Sequence, residues 1–397
     1  MKRILLFCLL VSFLAGRNVF ANGAGKKKNK IDGIECYLFN VEKPLHFSFG
    51  TWHNRQHVFI RIISGEYSGW SEHNAGKNSL DFDLEKYAEE LKCLKGMGLH
   101  EALKMVQSKY GDWNWGKLEV MELALYDLIG KVENKPAIEI LGLEGREPVP
   151  GLFCVLEEDP SKAEEQAYVS LEHNFTTHIK VKIFGKPELD SKLISGVRRV
   201  MGTETYITAD VNTGYKNWKT IEELKQSMLA LKKAGLNACE DPAKLEINQW
   251  VKLQDGLPGM AIIPDYIMRP AWKTLETAVK GMGQIYNLHP HCMGSIHLTT
   301  RLARKIKGWN AKLMIGDASL IGPACTQWQQ IAIGLGADWV EALEKPDQSG
   351  SYLKCVDSLA TFQQEDGRIT MNREPGFGIK LNLQKVKELA NKFYVLP

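Results

Sequence analysis

Beyond its N-terminal leader the chain has no apolar run near the ~20 residues that a membrane-spanning helix needs. No membrane span is therefore expected once the leader is removed. There is no CxxC spacing either. Of eight cysteines, Cys8 lies in the leader, and the other seven (Cys36, Cys93, Cys154, Cys239, Cys292, Cys325 and Cys355) are scattered and odd in number. That pattern does not support a disulfide framework or a structural zinc site. Small buried thiols are the expected state for most of them, with an isolated disulfide left open in an oxidising compartment. The charge is close to balanced, at +3, and part of the excess sits in the leader and the following "GKKKNK". Nucleic acid is not an expected partner. Finally, no GxGxxG follows the first strand of the α/β portion, so an open, doubly wound sheet lacks its sharpest sign.

The opening residues, "MKRILLFCLLVSFLAGRNVFA", combine a charged start, an apolar core and a small residue near Ala21. They read as a secretory signal peptide, which places the mature protein in the periplasm or outside the cell. Residues 1–30, leader and basic linker, are set apart from the fold. What remains suits one large domain and a smaller one. From 31 to 150 strand-like alternation ("IECYLFNVEKPLHFSF", "QHVFIRIISGEYSGWSEH") gives way to helical spacing, predicting a compact α+β domain. From 151 to 369 short apolar strands alternate with helices: 151–157, 177–183, 205–212, 236–241, 260–266, 284–291, 311–317 and 338–344. Eight β/α units predict a TIM-type barrel. The tail reads as a strand, a Pro/Gly turn and a helix, packing on the barrel's flank or returning to the first domain.

Active sites of such barrels lie at the C-terminal ends of the strands. Asp210, Glu240 and Asp265 end three successive strands, which lie about 5 Å apart and bring their tips together. Three carboxylates with open positions suit a hard cation, Mg²⁺. The competing reading, helix caps and loop salt bridges, would have to recur in three consecutive units. On the preceding strand, "HIKVKIFG" puts Lys180 and Lys182 on one face and Ile179, Val181 and Ile183 on the other. Facing a carboxylate site, the two ammonium groups are favoured rather than orphaned. Their crowding also predicts that one is neutral near pH 7 and able to act as a base.

These residues resemble the enolase superfamily, in its mandelate racemase and muconate lactonizing enzyme branch. The resemblance runs through "GEYSGWSEH", "MELALYDLIGKVENKPAIEILGLEGREPVPG", "IKVKI", "ADVNTGY", "CEDP" and "REPGFGIKL", and covers the whole mature chain. It implies a modified (β/α)7β barrel capped by an α+β domain made of residues 31–150 joined by the tail 370–397. It also implies Mg²⁺ on Asp210, Glu240 and Asp265, and removal of a proton α to a small-molecule carboxylate through an enediolate. Lys182 would be the base on one face, Lys180 would hold the substrate carboxylate and lower the pKa of Lys182, and Glu341 would hydrogen-bond that carboxylate.

The sequence departs from this pattern at the sixth strand, where "YNLHPHCMGSI" places His289 at the position of the relatives' lysine. The seventh strand, "LMIGDASLIG", lacks the histidine of the mandelate racemase type. His289 is therefore the candidate opposite-face acid/base, with Asp317 as an orienting partner and His291 or Asp317 as alternatives. Tyr266 follows Asp265 where relatives often carry glutamate. Trp52 and Arg55, in the loop 47–56, are candidate specificity contacts. Glu344 is a candidate for a substrate ammonium group, although Ala342 removes the second carboxylate such a motif needs. The expected activity is racemisation, epimerisation or cycloisomerisation; dehydration of an acid sugar and metal-dependent ligand binding without turnover are the alternatives. The oligomeric state stays open, although homo-oligomers are common among soluble enzymes.

Overall fold

The computed structural model describes residues 29–341 and 346–397; the leader and Glu344 lie outside them. The cap is a four-stranded antiparallel sheet in the order Lys392–Val395, Gly33–Val41, Arg55–Ser64, Tyr67–Lys77. Its two middle strands are rich in β-branched and aromatic residues, which suit a pleated, half-buried surface. They pair in register from Gly33 with Ile63 to Val41 with Arg55. The chain's last strand closes the edge, Cys36 opposite Tyr394.

Against this sheet lies a 19-residue helix, Trp115–Glu133, started by Asn114, whose side chain accepts from Lys117 N, and ended by Asn134 in the left-handed region. Side-chain capping at the start and a left-handed asparagine at the end are the usual helix punctuation. The helix is buried from Gly116 through Gly130, because the sheet covers one side and the barrel the other. The approach to the sheet is close enough to need glycine: a Cβ on Gly69 would lie 2.1 Å from Ala124 O.

The second domain has eight parallel strands, Val149–Val155, His178–Lys182, Tyr206–Asp210, Ala238–Glu240, Ala261–Ile263, Ile285–Leu288, Lys312–Ile315 and Trp339–Glu341. Around the sheet they run in the order fifth, fourth, third, second, first, eighth, seventh, sixth. The fifth and sixth share no ladder, but Asn287 N–H donates to Pro264 O at 3.1 Å across that seam. The result is a nearly closed barrel with seven helices between its strands, the (β/α)7β arrangement. Turn chemistry sets the helix starts: Asp159, Thr220 and Ser295 cap three of them, and Glu246 and Gln249 form a capping box on a fourth.

Strand periodicity then sorts the interior. Ile179, Val181 and Ile183 join the large apolar layer that includes the helices. Residues of opposite parity point inward, where Leu152, Ala238, Ala261, Ile285, Met314 and Trp339 belong to a separate barrel core. That apolar core leaves the C-terminal mouth to polar groups. After the eighth strand the chain returns to the cap. Tyr352 and Cys355 pack with Tyr37, Phe39 and Phe59, and strand Val356–Ser358 pairs with Lys380–Leu381. Among the described residues no helix is long and apolar enough to cross a membrane, and none of the seven cysteines forms a disulfide.

Candidate active site

The register of the barrel puts the predicted residues side by side. Lys182 is opposite Asp210, and Asp210 is opposite Glu240. Asp265 lies two residues beyond Ile263, the partner of Glu240, and so keeps inward parity. Asp210, Glu240 and Asp265 are almost wholly buried. Lys180 Nζ donates to Glu341 Oε2 at 2.8 Å and lies 3.5 Å from Glu240 Oε2. Lys182 Nζ contacts Asp210 Oδ2 and donates to Asn212 Oδ1 at 3.1 Å. The two lysines therefore face different carboxylates.

This pairing corrects the expectation that crowding leaves one lysine neutral: Lys180 does push Lys182 down, as expected, but the carboxylates around the pair prevail. Burial pushes the Lys180 ammonium down, but Glu240 and Glu341 more than offset it and hold the group well above its ordinary value. Burial likewise opposes Lys182, as does the repulsion from Lys180, but Asp210 together with Cys154 and Glu240 outweighs them, so its pKa is raised. Burial pushes Glu240 up to about 8, against the pull of Lys180 and with the help of Asp210 and Asp265.

Five buried carboxyl groups, Asp210, Glu240, Asp241, Asp265 and Glu341, share the mouth with the cations Lys180, Lys182 and Arg269. The donor set is all oxygen, which fits a hard divalent cation. The oxygens are at present turned to side-chain cations. Asp265 receives Arg269 through Nε at 3.1 Å and through Nη2, while Asp210 faces Lys182. Among the described residues no three acidic, histidine or cysteine groups converge on one point. Asp210, Glu240 and Asp265 could hold an ion once those two contacts give way. Asp241 supports them from behind, accepting from Asp265 N at 3.0 Å and Tyr266 N at 3.0 Å.

The sixth strand lies four strands from the second around the eight, on the far side of the barrel. Its inward residues are Asn287, which donates to Glu240 Oε1 at 2.8 Å, and then His289. His289 Nδ1 is 2.8 Å from Pro290 O. A carbonyl oxygen only accepts, so Nδ1 carries the proton and Nε2 keeps its lone pair. Burial, reinforced by Arg269 and the lysines, holds the ring well below its ordinary pKa and therefore neutral.

Asp317 is not the orienting partner expected: its Oδ1 accepts from Leu320 N at 3.0 Å. His291 has turned to the cap, its ring 4.9 Å from that of His73, so it does not share the mouth with His289. Arg55 is fully buried, with Nη1 3.3 Å from Lys43 O. Trp52 holds Lys77 Nζ 3.8 Å above its ring and packs on Phe47 at 4.5 Å. Phe47 in turn lies 5.2 Å from Lys182 Nζ, and Ser48 Oγ donates to Val211 O at 2.7 Å. The hairpin Leu45–Trp52 thus covers the candidate base.

Several functional residues were not singled out from the sequence. Asn287 was findable, as a polar residue at an inward position of an apolar strand. Arg269 gave no local signal, and Phe47 was covered only as the first residue of the loop 47–56. Glu119 and Glu122 did give one, two acids inside the helical apolar run "KLEVMELALYDLIG", but its meaning depends on what the helix faces.

With the geometry in place, comparison with known proteins is informative. The family model for enolase C-terminal domain-like proteins matches residues 162–386. The chain is 22% identical over 375 residues to muconate cycloisomerase 1 of Acinetobacter baylyi, covering 90% of this chain and 98% of the relative. It is also 22% identical over 378 residues to the N-succinyl-L-Arg/Lys racemase of Bacillus cereus, covering 91% and 98%. Among solved structures, the dipeptide epimerase of Cytophaga hutchinsonii complexed with Mg and D-Ala-L-Val superposes with a TM-score of 0.77 at 18% identity, covering 93% of this chain and 100% of that one. The chain belongs to the enolase C-terminal domain-like family and, with its capped and nearly closed barrel, to the mandelate racemase and muconate lactonizing enzyme-like branch of the enolase superfamily.

Proposed function

We propose that this enzyme removes a proton α to a substrate carboxylate and returns one to the resulting enediolate, acting as a racemase, epimerase or cycloisomerase. The observation that carries the reading is the placement of a buried lysine, Lys182, and a neutral histidine, His289, on strands at opposite sides of one carboxylate-lined mouth. Relatives named as racemases, epimerases and cycloisomerases support it.

Lys182 acts as a base only as the neutral amine, so its Asp210 contact, which favours the ammonium, must weaken before it takes the proton. Lys180 holds the substrate carboxylate, and Glu341, 2.8 Å away, aims that ammonium. Glu341 also bonds the substrate carboxylate directly when a proton lies between them. His289 Nε2, with its lone pair free, takes or delivers the proton on the other face. Phe47 and the hairpin around it shield Lys182 from water. Mg²⁺ held by Asp210, Glu240 and Asp265 would supply electrophilic stabilisation of the enediolate oxygens. The charged start and apolar core of the N-terminal sequence support an export signal and, with it, a location for this chemistry outside the cytoplasm.

The test is a panel of hydroxy acids, acid sugars and dipeptides in D₂O, followed by NMR. Loss of α-hydrogen exchange from one stereoisomer in Lys182→Ala and from the other in His289→Asn is the expected result. Exchange at the parental rate in both variants would reject the assignment. A 2-keto acid trapped by semicarbazide would move the enzyme to the dehydratases, and tight binding without exchange would make it a binding protein.

A further inference from the structure

We infer that Glu119, on the cap's long helix, is a positioning residue that sets the tautomer and direction of His289 through a single peptide group. This inference rests on the proposed role of His289. Glu119 is 2% exposed and meets only donors. His291 N–H and Trp328 Nε1–H (2.8 Å) reach Oε1, and Met293 N–H and Gly294 N–H (both 3.1 Å) reach Oε2. No neighbour in this set accepts a proton, so these donors favour the ionised carboxylate against the burial that pushes the group up to about 8. A carboxylate brought out of water at this depth needs such a set of donors.

The geometry links this clamp to the active site through the peptide between Pro290 and His291. Its N–H donates to Glu119, and its C=O accepts from His289 Nδ1 at 2.8 Å. In a planar trans peptide the N–H and C=O point in opposite directions. Holding the N–H on the cap therefore aims the C=O at the histidine, which fixes the proton on Nδ1 and leaves Nε2 as the working nitrogen. Hydrogen bonds in series also polarise one another, so the carboxylate makes that carbonyl a better acceptor.

Two further features keep the relay seated. Gly116, one turn before Glu119, leaves room for the His291 ring, since a Cβ there would lie 2.2 Å from Nε2. Glu122, one turn after, accepts from His297 N at 3.2 Å, at the start of the following barrel helix. An acid on one domain thus orients a proton carrier on the other.

The experiment uses full-length mature protein labelled with ¹⁵N-histidine, with the His289 signals assigned by loss in His289→Asn. In the parent, Nδ1 is expected to be protonated and Nε2 not. Glu119→Gln presents an NH₂ to donors on one side of the clamp, so both tautomers should appear. The turnover identified in the D₂O panel should fall about 10- to 100-fold in kcat, as for other orienting partners, with KM within about threefold. Trp328→Phe removes one donor but leaves the peptide relay, and should change kcat by less than about threefold. If Glu119→Gln does not fold, Glu119→Asp, which withdraws the charge by one methylene, carries the same readouts. A parental tautomer and kcat in the Glu119 variant overturn the relay, as does an equal loss in Trp328→Phe. If His289→Asn itself turns over normally, the functional reading fails instead.

Discussion

Replacing Lys180 by methionine should destabilise the protein through charge rather than volume. The ammonium lies 2.8 Å from Glu341 and 3.5 Å from Glu240, with side chains 4%, 9% and 1% exposed, so its loss leaves two buried carboxylates short of a counter-ion. Removing one member of a buried pair costs about 3–5 kcal/mol. A chain of roughly 370 residues with an unfolding entropy near 2.1 cal/mol/K per residue loses about 4–6 °C in Tm for that amount. The folded-state pKa of Lys180 is raised, so this stabilisation is fully present below the unfolded value of about 10.4 and fades only as pH rises through the folded one. A calorimetric melt at pH 7.5 in EDTA therefore reads all of it. Pairing the change with Glu341→Gln removes one stranded charge and should recover at least half of the loss. At pH 5.5, well below the value of about 8 to which Glu240 is pushed, that stranded carboxyl carries its proton and the deficit of the single variant should shrink. A single variant melting within 1 °C of the parent, or a double variant no better than the single, would refute the pairing.

Proton and metal should compete at Glu240, whose carboxyl is pushed up to about 8. Mg²⁺ affinity measured by calorimetry should rise close to tenfold per pH unit from 6 towards 8 and then level off; a flat profile would contradict the ligand assignment. Phe47→Ala removes a ring 5.2 Å from Lys182 Nζ, a cation–π contact of about 0.5–2 kcal/mol. It should move the acidic limb of the rate profile, where Lys182 gains its proton and stops acting as a base, to lower pH, because the ammonium loses a stabilising partner; an unmoved limb would show that the hairpin does not cover the base. Asp127→Asn should lower stability by about 1–3 kcal/mol, because its two oxygens accept from Trp70 N and Phe377 N at 2.9 and 2.8 Å and pair with Lys131 at 2.7 Å. Denaturant unfolding coincident with the parent's would refute that. Mass spectrometry of secreted material should find a new N-terminus near Ala21, and an intact leader would contradict the localisation.

Most of the architecture was legible locally, since strand alternation, helix spacing and cap residues act over a few neighbours. All eight barrel strands lie within the spans expected, apart from two extra residues at the start of the first. The lysine pair and the three carboxylates were legible for the same reason: period-two alternation assigns their faces, and strand ends assign their height. The pKa of those lysines was not legible. It depends on which carboxylate each ammonium reaches across the barrel, and Lys180 finds Glu341, which is 161 positions away.

The partner of His289 shows the same division. Sequence placed a histidine opposite Lys182 and looked for its helper on the adjacent strand, at Asp317. The structure instead gives that role to the peptide after His289 and, behind it, to Glu119, 172 positions from the amide it binds. By itself, then, the sequence determined which side chains enter the barrel mouth, because strand pleating is a local rule. Only the tertiary structure decided which charges neutralise one another and which nitrogen of His289 is free, because those follow from contacts between segments that meet only when the cap closes on the barrel.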